Sequence, residues 1–236
     1  MNINDLAPLK DRVRAAQEEL DLAVLFHEAW KPAAYDEDLH RRLGASYATH
    51  AFRIVRSALR REMLMALMRI WDHDSRSVHV AIVIDGIRDS AVVDMLVAER
   101  MTGLARQSNM SLFGFEVQLR EAIHRAASEA ISLFDEYRPG GSRRPVLENL
   151  KLLRNERLAH RQVAPSGVDG PEATDEQIEA FYQDTTALVG KLLSILLGVA
   201  HDFAETANVY SRPATLFWAS VRGERTEGHP DYQPPE

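Results

Sequence analysis

Apolar residues recur at intervals of three and four positions along almost the whole of this 236-residue chain. Such spacing matches the turn of an α-helix and places the apolar side chains on one face, so it predicts amphipathic helices. A chain with this pattern throughout is expected to fold as an all-α helical bundle, because strands require an alternating pattern instead. The predicted helices span residues 5–28, 47–72, 90–107, 112–137, 143–162 and 175–208.

The segment "SVHVAIVIDGI", which begins at Ser77, carries the β-branched alternation that is typical of a strand. We predict a helix there, because a lone strand among helices would leave its backbone groups without partners. The short "RPGGS" connection predicts that helices 112–137 and 143–162 pack as antiparallel neighbours. Thr174 with Gln177 resembles a capping box and marks the start of the last helix.

The domain organisation is predicted from composition. Hydrophobic residues make up 45% of the chain and charged residues 27%, which are values typical of a globular protein with a buried core. We predict one helical domain over residues 1–210. Residues 211–236 shift toward proline, glycine and charge, which predicts an irregular C-terminal tail that is partly disordered, with "TLFWASV" docked on the bundle.

The chain contains no cysteine, so neither disulfides nor thiolate zinc sites hold the fold. Residues 1–20 are charged and periodic, unlike a secretory signal peptide. The longest charge-free apolar run, residues 192–200, is far shorter than the ~18 residues that suggest a membrane span. We therefore predict a soluble, cytoplasmic protein that does not contact a membrane.

The net charge of −7 argues against nucleic acid as a partner, but the distribution of charge argues for it. Seven basic and two acidic residues lie between Arg138 and Arg161, which gives this segment a local charge of +5. Such a patch attracts phosphates, although a solvated helix face explains the same pattern. The predicted RNA contacts are Lys151, Arg157, Arg161, Arg143 and Arg144.

Within this patch, "LRNERLAHR" brings together Arg154, Asn155 and His160. Histidine exchanges protons near physiological pH, and arginine offers a charged planar fork to a phosphate. Together they allow a ribose 2′-hydroxyl to attack its own phosphate while Arg154 stabilises the negative charge and His160 moves the proton. The alternative is a plain helix end, where basic residues oppose the negative end of the helix dipole.

The spacing of these residues also predicts a dimer. Each helical residue turns by about 100°, so Arg154 and His160 lie about 120° apart, and Asn155 and His160 about 140° apart. They do not share one narrow face. A cleft between two antiparallel copies of the helix uses both residue types more naturally, which favours a twofold homodimer that buries Leu150, Leu153 and Leu158 near the motif.

The segment "RNERLAH" resembles the Arg-polar-x-x-x-x-His motif of HEPN domains, and the earlier "HAFRIVRSALRREMLMALMRIWDHD" is similar to the abortive-infection U-type (AbiU-like) subgroup. This resemblance covers roughly residues 45–205. It implies a helical bundle that dimerises around one cleft and acts as a metal-independent endoribonuclease in a toxin or phage-defence system.

The resemblance also assigns roles to residues. Arg154 contacts the scissile phosphate, Asn155 orients the site, and His160 is the acid or base; an antitoxin protein is an implied partner. In HEPN toxins silenced by a nucleotidyltransferase antitoxin, a tyrosine follows the histidine by two positions. Here that position is Gln162, so the chain lacks the residue through which such control acts.

Two other interpretations remain open. A metal-carrying bundle is suggested by Asp72, His73 and Asp74 of "WDHD", residues 71–74, and by Glu121 with His124. A solvated turn at a helix end explains "WDHD" better, and the second copy and the further carboxylates that a di-iron site needs are absent from the sequence. We predict no metal and no cofactor. The other interpretation is a non-catalytic HEPN-fold module for dimerisation or partner binding, because a fold does not fix a function.

Overall fold

The computed structural model describes residues 6–44, 46, 48–72, 78–107, 114–154 and 173–223. Within these residues the chain forms helices and contains no strand, which confirms the predicted all-α fold. None of the described helices combines the length and apolarity that a membrane crossing requires. The helices are α1 Ala7–Tyr35, α2 Glu37–Leu43, α3 Thr49–Ile70, α4 Val80–Ile87, α5 Ser90–Gln107, α6 Phe115–Asp135, α7 Arg144–Leu153, α8 Asp175–Leu192 and α9 Phe203–Ser220.

The chain divides into two compact units. The first unit comprises Met1–Leu20 and Leu67–His201, and the second comprises Asp21–Ala66 and Asp202–Glu236. Helices α1 and α3 therefore contribute residues to both units. The predicted single domain over residues 1–210 stays a prediction.

In the first unit, α6 is the central helix and packs against α4, α5 and α8. Its buried residues recur at helical spacing, and two of them are alanines, which lets neighbouring helices approach closely. They are Ile123, Ala127, Ala130 and Phe134. The doubtful segment after Ser77 forms α4, where four apolar residues are buried, so the predicted helix is confirmed.

An aromatic cluster joins the C-terminal end of α3 to α6 and α8. The indole of Trp71 stacks on Phe134, with ring centroids 5.3 Å apart and planes inclined by 6°, and it also contacts Tyr137 and Phe181. The buried indole N–H donates to the Thr185 hydroxyl at 3.0 Å. Because the polar end of the ring has a partner, Trp71 is buried without an unsatisfied donor.

Hydrogen bonds from side chains satisfy backbone groups at both ends of helix α8. The predicted capping box is confirmed: the Thr174 hydroxyl accepts from the Gln177 N–H, and the Gln177 side chain accepts from the Thr174 N–H. At the other end, a π-helical turn over Leu193–Leu197 leads to Gly198 in the left-handed conformation. The guanidinium of Arg100 on α5 donates to the carbonyls of Ser194 and Ile195, which satisfies backbone groups that this turn leaves exposed.

The second unit is organised around Trp218 of α9. Its indole N–H donates to the Ala29 carbonyl at 2.8 Å, and its ring packs edge-on against Phe52. The buried residues Ala33, Leu39 and Leu43 complete this small core together with Trp218. Trp218 therefore docks the segment "TLFWASV", while its neighbours Leu216 and Phe217 are exposed.

Several helix limits differ from those predicted. Helix α1 continues through Pro32 to Tyr35, because Trp30, Ala33 and Ala34 are buried beyond the predicted end at residue 28. Helix α2 was missed; it is seven residues long and is capped by Asp36, whose carboxylate accepts from the Leu39 N–H.

The last predicted helix, residues 175–208, is broken near Gly198. Asp202 then caps α9 by accepting from the N–H groups of Ala204 and Glu205. Because Trp218 anchors this helix, residues 211–220 of the predicted irregular tail are helical despite Pro213. The tail from residue 224 lies outside the described residues.

The antiparallel packing predicted for helices 112–137 and 143–162 stays a prediction, because residues 155–162 lie outside the described part of the chain. Helix α7 packs against α8, whereas α6 packs against α4, α5 and α8. The connection folds back on itself: the Gly141 N–H donates to the Arg138 carbonyl at 2.8 Å and the Arg143 N–H to the Glu136 carbonyl at 2.9 Å. A Cβ on Gly141 would clash with the Glu136 carbonyl oxygen.

We expect Gly141→Ala to lower the free energy of unfolding by about 1–3 kcal/mol, because the added methyl forces the backbone of this connection to move. The matched control is Gly103→Ala in α5, where a Cβ meets no atom within 4 Å. There alanine should be neutral or stabilising by up to about 1 kcal/mol. Urea denaturation of both variants measures the difference, and equal stabilities would contradict the described connection.

Candidate functional site

Helix α7 presents a stripe of cations. Arg144, Leu147, Lys151 and Arg154 follow one another at intervals of three and four, so they lie on one side of the helix. Leu147 is buried, and the three cationic side chains are partly exposed. We call Arg144, Lys151 and Arg154 the α7 cation stripe.

Arg154, the predicted phosphate-binding residue, forms an ion pair with Asp72. Its Nη1 lies 3.0 Å from Asp72 Oδ2, and the two side chains are 22% and 31% exposed. This partial burial reduces solvent screening of the pair compared with a fully exposed one. The guanidinium is thereby held in one direction beyond the last turn of α7.

The aromatic cluster explains why Asp72 lies where it does. Asp72 immediately follows Trp71, whose ring is packed on three sides and hydrogen-bonded to Thr185. Asp72 therefore has little freedom to move away from Arg154. From the sequence, Asp72 was predicted to lie in a solvated turn, with metal ligation as the alternative, because no local signal indicates pairing between residues 82 positions apart.

Arg143, a predicted RNA contact, also lies among acidic groups. Its guanidinium donates to Asp184 of α8, and its Nε lies 2.9 Å from Glu136. The Tyr137 hydroxyl donates to the same Asp184 carboxylate at 2.5 Å. These contacts tie the start of α7 to α8, so Arg143, Tyr137 and Asp184 are residues that position the cation stripe.

The remaining cations of the stripe influence each other. Arg144 pairs with Glu148 one turn later at 2.7 Å. Burial lowers the pKa of Lys151, and the nearby charges of Arg144 and Arg154 lower it further. Asp72 and Glu148 partly offset the repulsion that Lys151 meets from the two arginines.

Four predicted site residues lie outside the described part of the chain. They are Asn155, Arg157, His160 and Arg161. The structure describes Arg154, Lys151, Arg143 and Arg144, and it brings Arg154, Lys151 and Arg144 onto one face. The position of His160 relative to Arg154 stays a prediction.

The metal interpretations are not supported by a ligand cluster. No group of three or more His, Asp or Glu side chains close enough to hold a metal ion occurs among the residues that the structure describes. Asp72 pairs with Arg154, while His73 and Asp74 lie outside the described residues. Glu121 and His124 are exposed on α6.

An all-α chain in which an arginine at the end of a helix opens an Arg-Asn-x-x-x-x-His motif has the features of the HEPN class. The HEPN family model described as AbiU2 matches residues 6–216. The chain belongs to the AbiU2 family of HEPN domains and so to a group associated with abortive infection. No curated protein and no solved structure matches it. The match extends beyond the predicted 45–205 and takes in α1, α2 and most of α9.

We expect a measurable coupling between Asp72 and Arg154. In a double-mutant cycle of Asp72→Ala and Arg154→Ala, urea denaturation should give a coupling energy of about 1 kcal/mol, because the pair is partly shielded from solvent. The control cycle uses Asp11 and Arg14, an exposed pair with side chains 72% and 57% accessible. The coupling energy of this control pair should be about 0.3 kcal/mol. Equal couplings in the two cycles would show that Asp72 does not hold Arg154.

Tyr137 provides a pH-dependent test of the same region. Burial, with a smaller effect of Glu136, raises the pKa of Tyr137 to about 12, while Arg143 opposes the increase. A raised pKa means that the protonated tyrosine stabilises the fold fully below pH ~10 and that this contribution is lost between pH ~10 and ~12.

We therefore expect the stability advantage of the native chain over Tyr137→Phe to shrink across that window. Absorbance titration of tyrosinate should show that the native chain and Tyr137→Phe ionise the same number of tyrosines at pH ~11. An extra tyrosinate in the native chain at that pH would contradict the buried position.

Proposed function

We propose that this chain is a metal-independent endoribonuclease, a toxin or phage-defence effector whose site forms at a homodimer cleft. Arg154 contacts the scissile phosphate, Asn155 orients the site, and His160 transfers protons. Membership of the AbiU2 family supports an effector of this kind. The observation that carries the proposal is the fixed direction of Arg154 at the end of a cationic helix face.

The proposed chemistry follows from these residue types. The ribose 2′-oxygen attacks the adjacent phosphorus and loses its proton to a base, while the bond from phosphorus to the 5′-oxygen breaks and that oxygen receives a proton from an acid. The products are a 2′,3′-cyclic phosphate and a 5′-hydroxyl. Arg154 stabilises the negative charge that develops on the phosphorane oxygens. His160 carries out one of these two proton transfers, as the acid or the base, and water carries out the other.

The homodimer is part of this proposal. Leu150, which sequence analysis placed in the interface, is 1% exposed within the protomer and has no surface left to contribute. Leu152, on the same helix, is 39% exposed. The proposed interface near the motif therefore uses Leu152 and the half-buried Leu153 in place of Leu150.

We expect Arg154→Ala and His160→Ala each to lower the rate of RNA cleavage by about 10²- to 10⁴-fold, because each loses a group that acts in the transition state. Arg157→Ala should only weaken RNA binding and make its salt dependence shallower. The matched control is Arg125→Ala on the exposed face of α6, which should cleave normally. Gel analysis of RNA incubated with EDTA measures all four. Absence of cleavage by the native chain, or full activity of His160→Ala, would contradict the proposal.

Mixing two inactive variants tests the shared cleft. In a twofold dimer whose Arg154 works with the partner's His160, a hybrid of Arg154→Ala and His160→Ala chains retains one intact pair. After subunit exchange, the mixture should recover roughly a quarter of native activity, because about half of the dimers are hybrids with one of two pairs intact. A monomer mass in light scattering, or a mixture that stays inactive, would rule out the shared site.

A second candidate function is a non-catalytic HEPN module that binds a partner. It is favoured by two ion pairs within the chain, because Arg154 is paired with Asp72 and Arg143 with Asp184. Under this function Arg154 would serve stability alone. The Asp72→Asn variant separates the two functions. A ribonuclease should show a changed KM for RNA, because Asp72 competes with the phosphate for Arg154. A partner-binding module should show no cleavage, either as the native chain or as Asp72→Asn.

A further inference from the structure

A cavity of about 330 Å³ lies beside α7 in the first unit. The floor comes from the aromatic cluster described above, Trp71, Phe134 and Tyr137, which are 2–5% exposed and so present a small part of their rings to the cavity. Leu147 of α7 adds an apolar side chain. The volume is at the lower end of the range for small-molecule sites, so the cavity suits a flat group no larger than one nucleotide.

The rim of the cavity is charged. Asp85 of α4 and Arg138 from the α6–α7 connection both line it, and both are exposed. Asp85 Oδ1 and Arg138 Nη1 lie 3.9 Å apart, too far for a hydrogen bond and close enough to bind adjacent atoms of one ligand. The cavity therefore combines an aromatic floor with an acceptor and a donor side by side.

The cavity also adjoins the proposed site. Arg144 and Leu147 line it, and they begin the side of α7 that continues through Lys151 to Arg154. The rise along a helix puts Leu147 about 10 Å from Arg154. An RNA strand whose phosphates follow the α7 cation stripe would bring a base close to the cavity.

We propose that this cavity holds a guanine base of the RNA strand, close to the scissile phosphate, and thereby sets the cleavage specificity. Guanine presents the N1–H and N2–H donors beside the O6 acceptor on one edge. The Asp85 carboxylate accepts from both donors, and Arg138 donates to O6. Adenine and cytosine each offer a single donor group on that edge and uracil a single N–H, so none of them fills both carboxylate oxygens in this way. This inference rests on the proposed function.

Mononucleotide binding tests the cavity without requiring cleavage. Calorimetric titration of the full chain with 5′-GMP should give an affinity about tenfold or more above those for 5′-AMP and 5′-UMP. 5′-IMP, which lacks the 2-amino group, should bind more weakly than 5′-GMP. Inorganic phosphate is the control for a site that recognises only an anion. Equal binding of all the nucleotides, no binding, or binding no tighter than phosphate would overturn the proposal.

Substitution at the rim supplies the second readout. Asp85→Asn should abolish the difference between 5′-GMP and 5′-AMP, whereas Asp94→Asn, an exposed carboxylate of α5 outside the cavity lining, should leave it unchanged. Arg138→Gln, which loses the O6 contact, should weaken 5′-GMP binding. Thermal melts check that every variant is folded. An unchanged preference for 5′-GMP in both rim variants would overturn the assignment.

Cleavage of RNA strands that carry a single guanosine separates this inference from the proposed function. Cleavage at a fixed number of nucleotides from the guanosine supports both the ribonuclease and the guanine pocket, provided that Asp85→Asn loses this preference. Cleavage without base preference overturns the guanine pocket and leaves the ribonuclease intact. Absence of cleavage together with Asp85-dependent binding of 5′-GMP overturns the ribonuclease and leaves the cavity as a guanine nucleotide site.

Discussion

The packing of Trp71 is the interaction on which the described site depends. Its indole lies against Phe134 of α6 and Phe181 of α8, and its N–H is bonded to Thr185. One side chain thus fixes the end of α3 relative to two other helices. This packing also fixes the position of the next residue, Asp72, which forms an ion pair with Arg154. The geometry of the candidate site is therefore a consequence of core packing rather than of the local sequence around the motif.

The second feature of the site is that acidic residues pair with two of its described arginines. The segment between Arg138 and Arg161 carries +5 by sequence, yet Arg143 is paired with Asp184 and Glu136, and Arg154 with Asp72. Two of these acids come from distant helices, so the sequence total overstates the field that an RNA strand meets. Ion pairs of this kind give direction to a guanidinium, and they also oppose phosphate binding. The balance between these effects decides whether Arg154 serves catalysis or stability.

In the first unit, the aromatic cluster, the cavity and the α7 cation stripe lie close together. The same aromatic rings that position Asp72 form the floor of the cavity, and the same face of α7 lines the cavity and ends at Arg154. Tyr137 contributes to both, because its ring packs on Trp71 and its hydroxyl bonds to Asp184. A change in the aromatic cluster would therefore alter the cavity and the cation stripe together.

The sequence by itself determined the helical class, the helix formed after Ser77 and the capping box at Thr174, because these depend on periodicity and on contacts within a few residues. It also identified the motif that begins at Arg154 and the family. It missed α2, the extension of α1 past residue 28 and the break at Gly198. Burial of Trp30 extends α1, and burial of Trp218 holds the helix that follows the break. Only the tertiary structure decided the partners of Arg143 and Arg154 and the cavity beside α7, because each joins residues that are far apart in the chain and are brought together by packing.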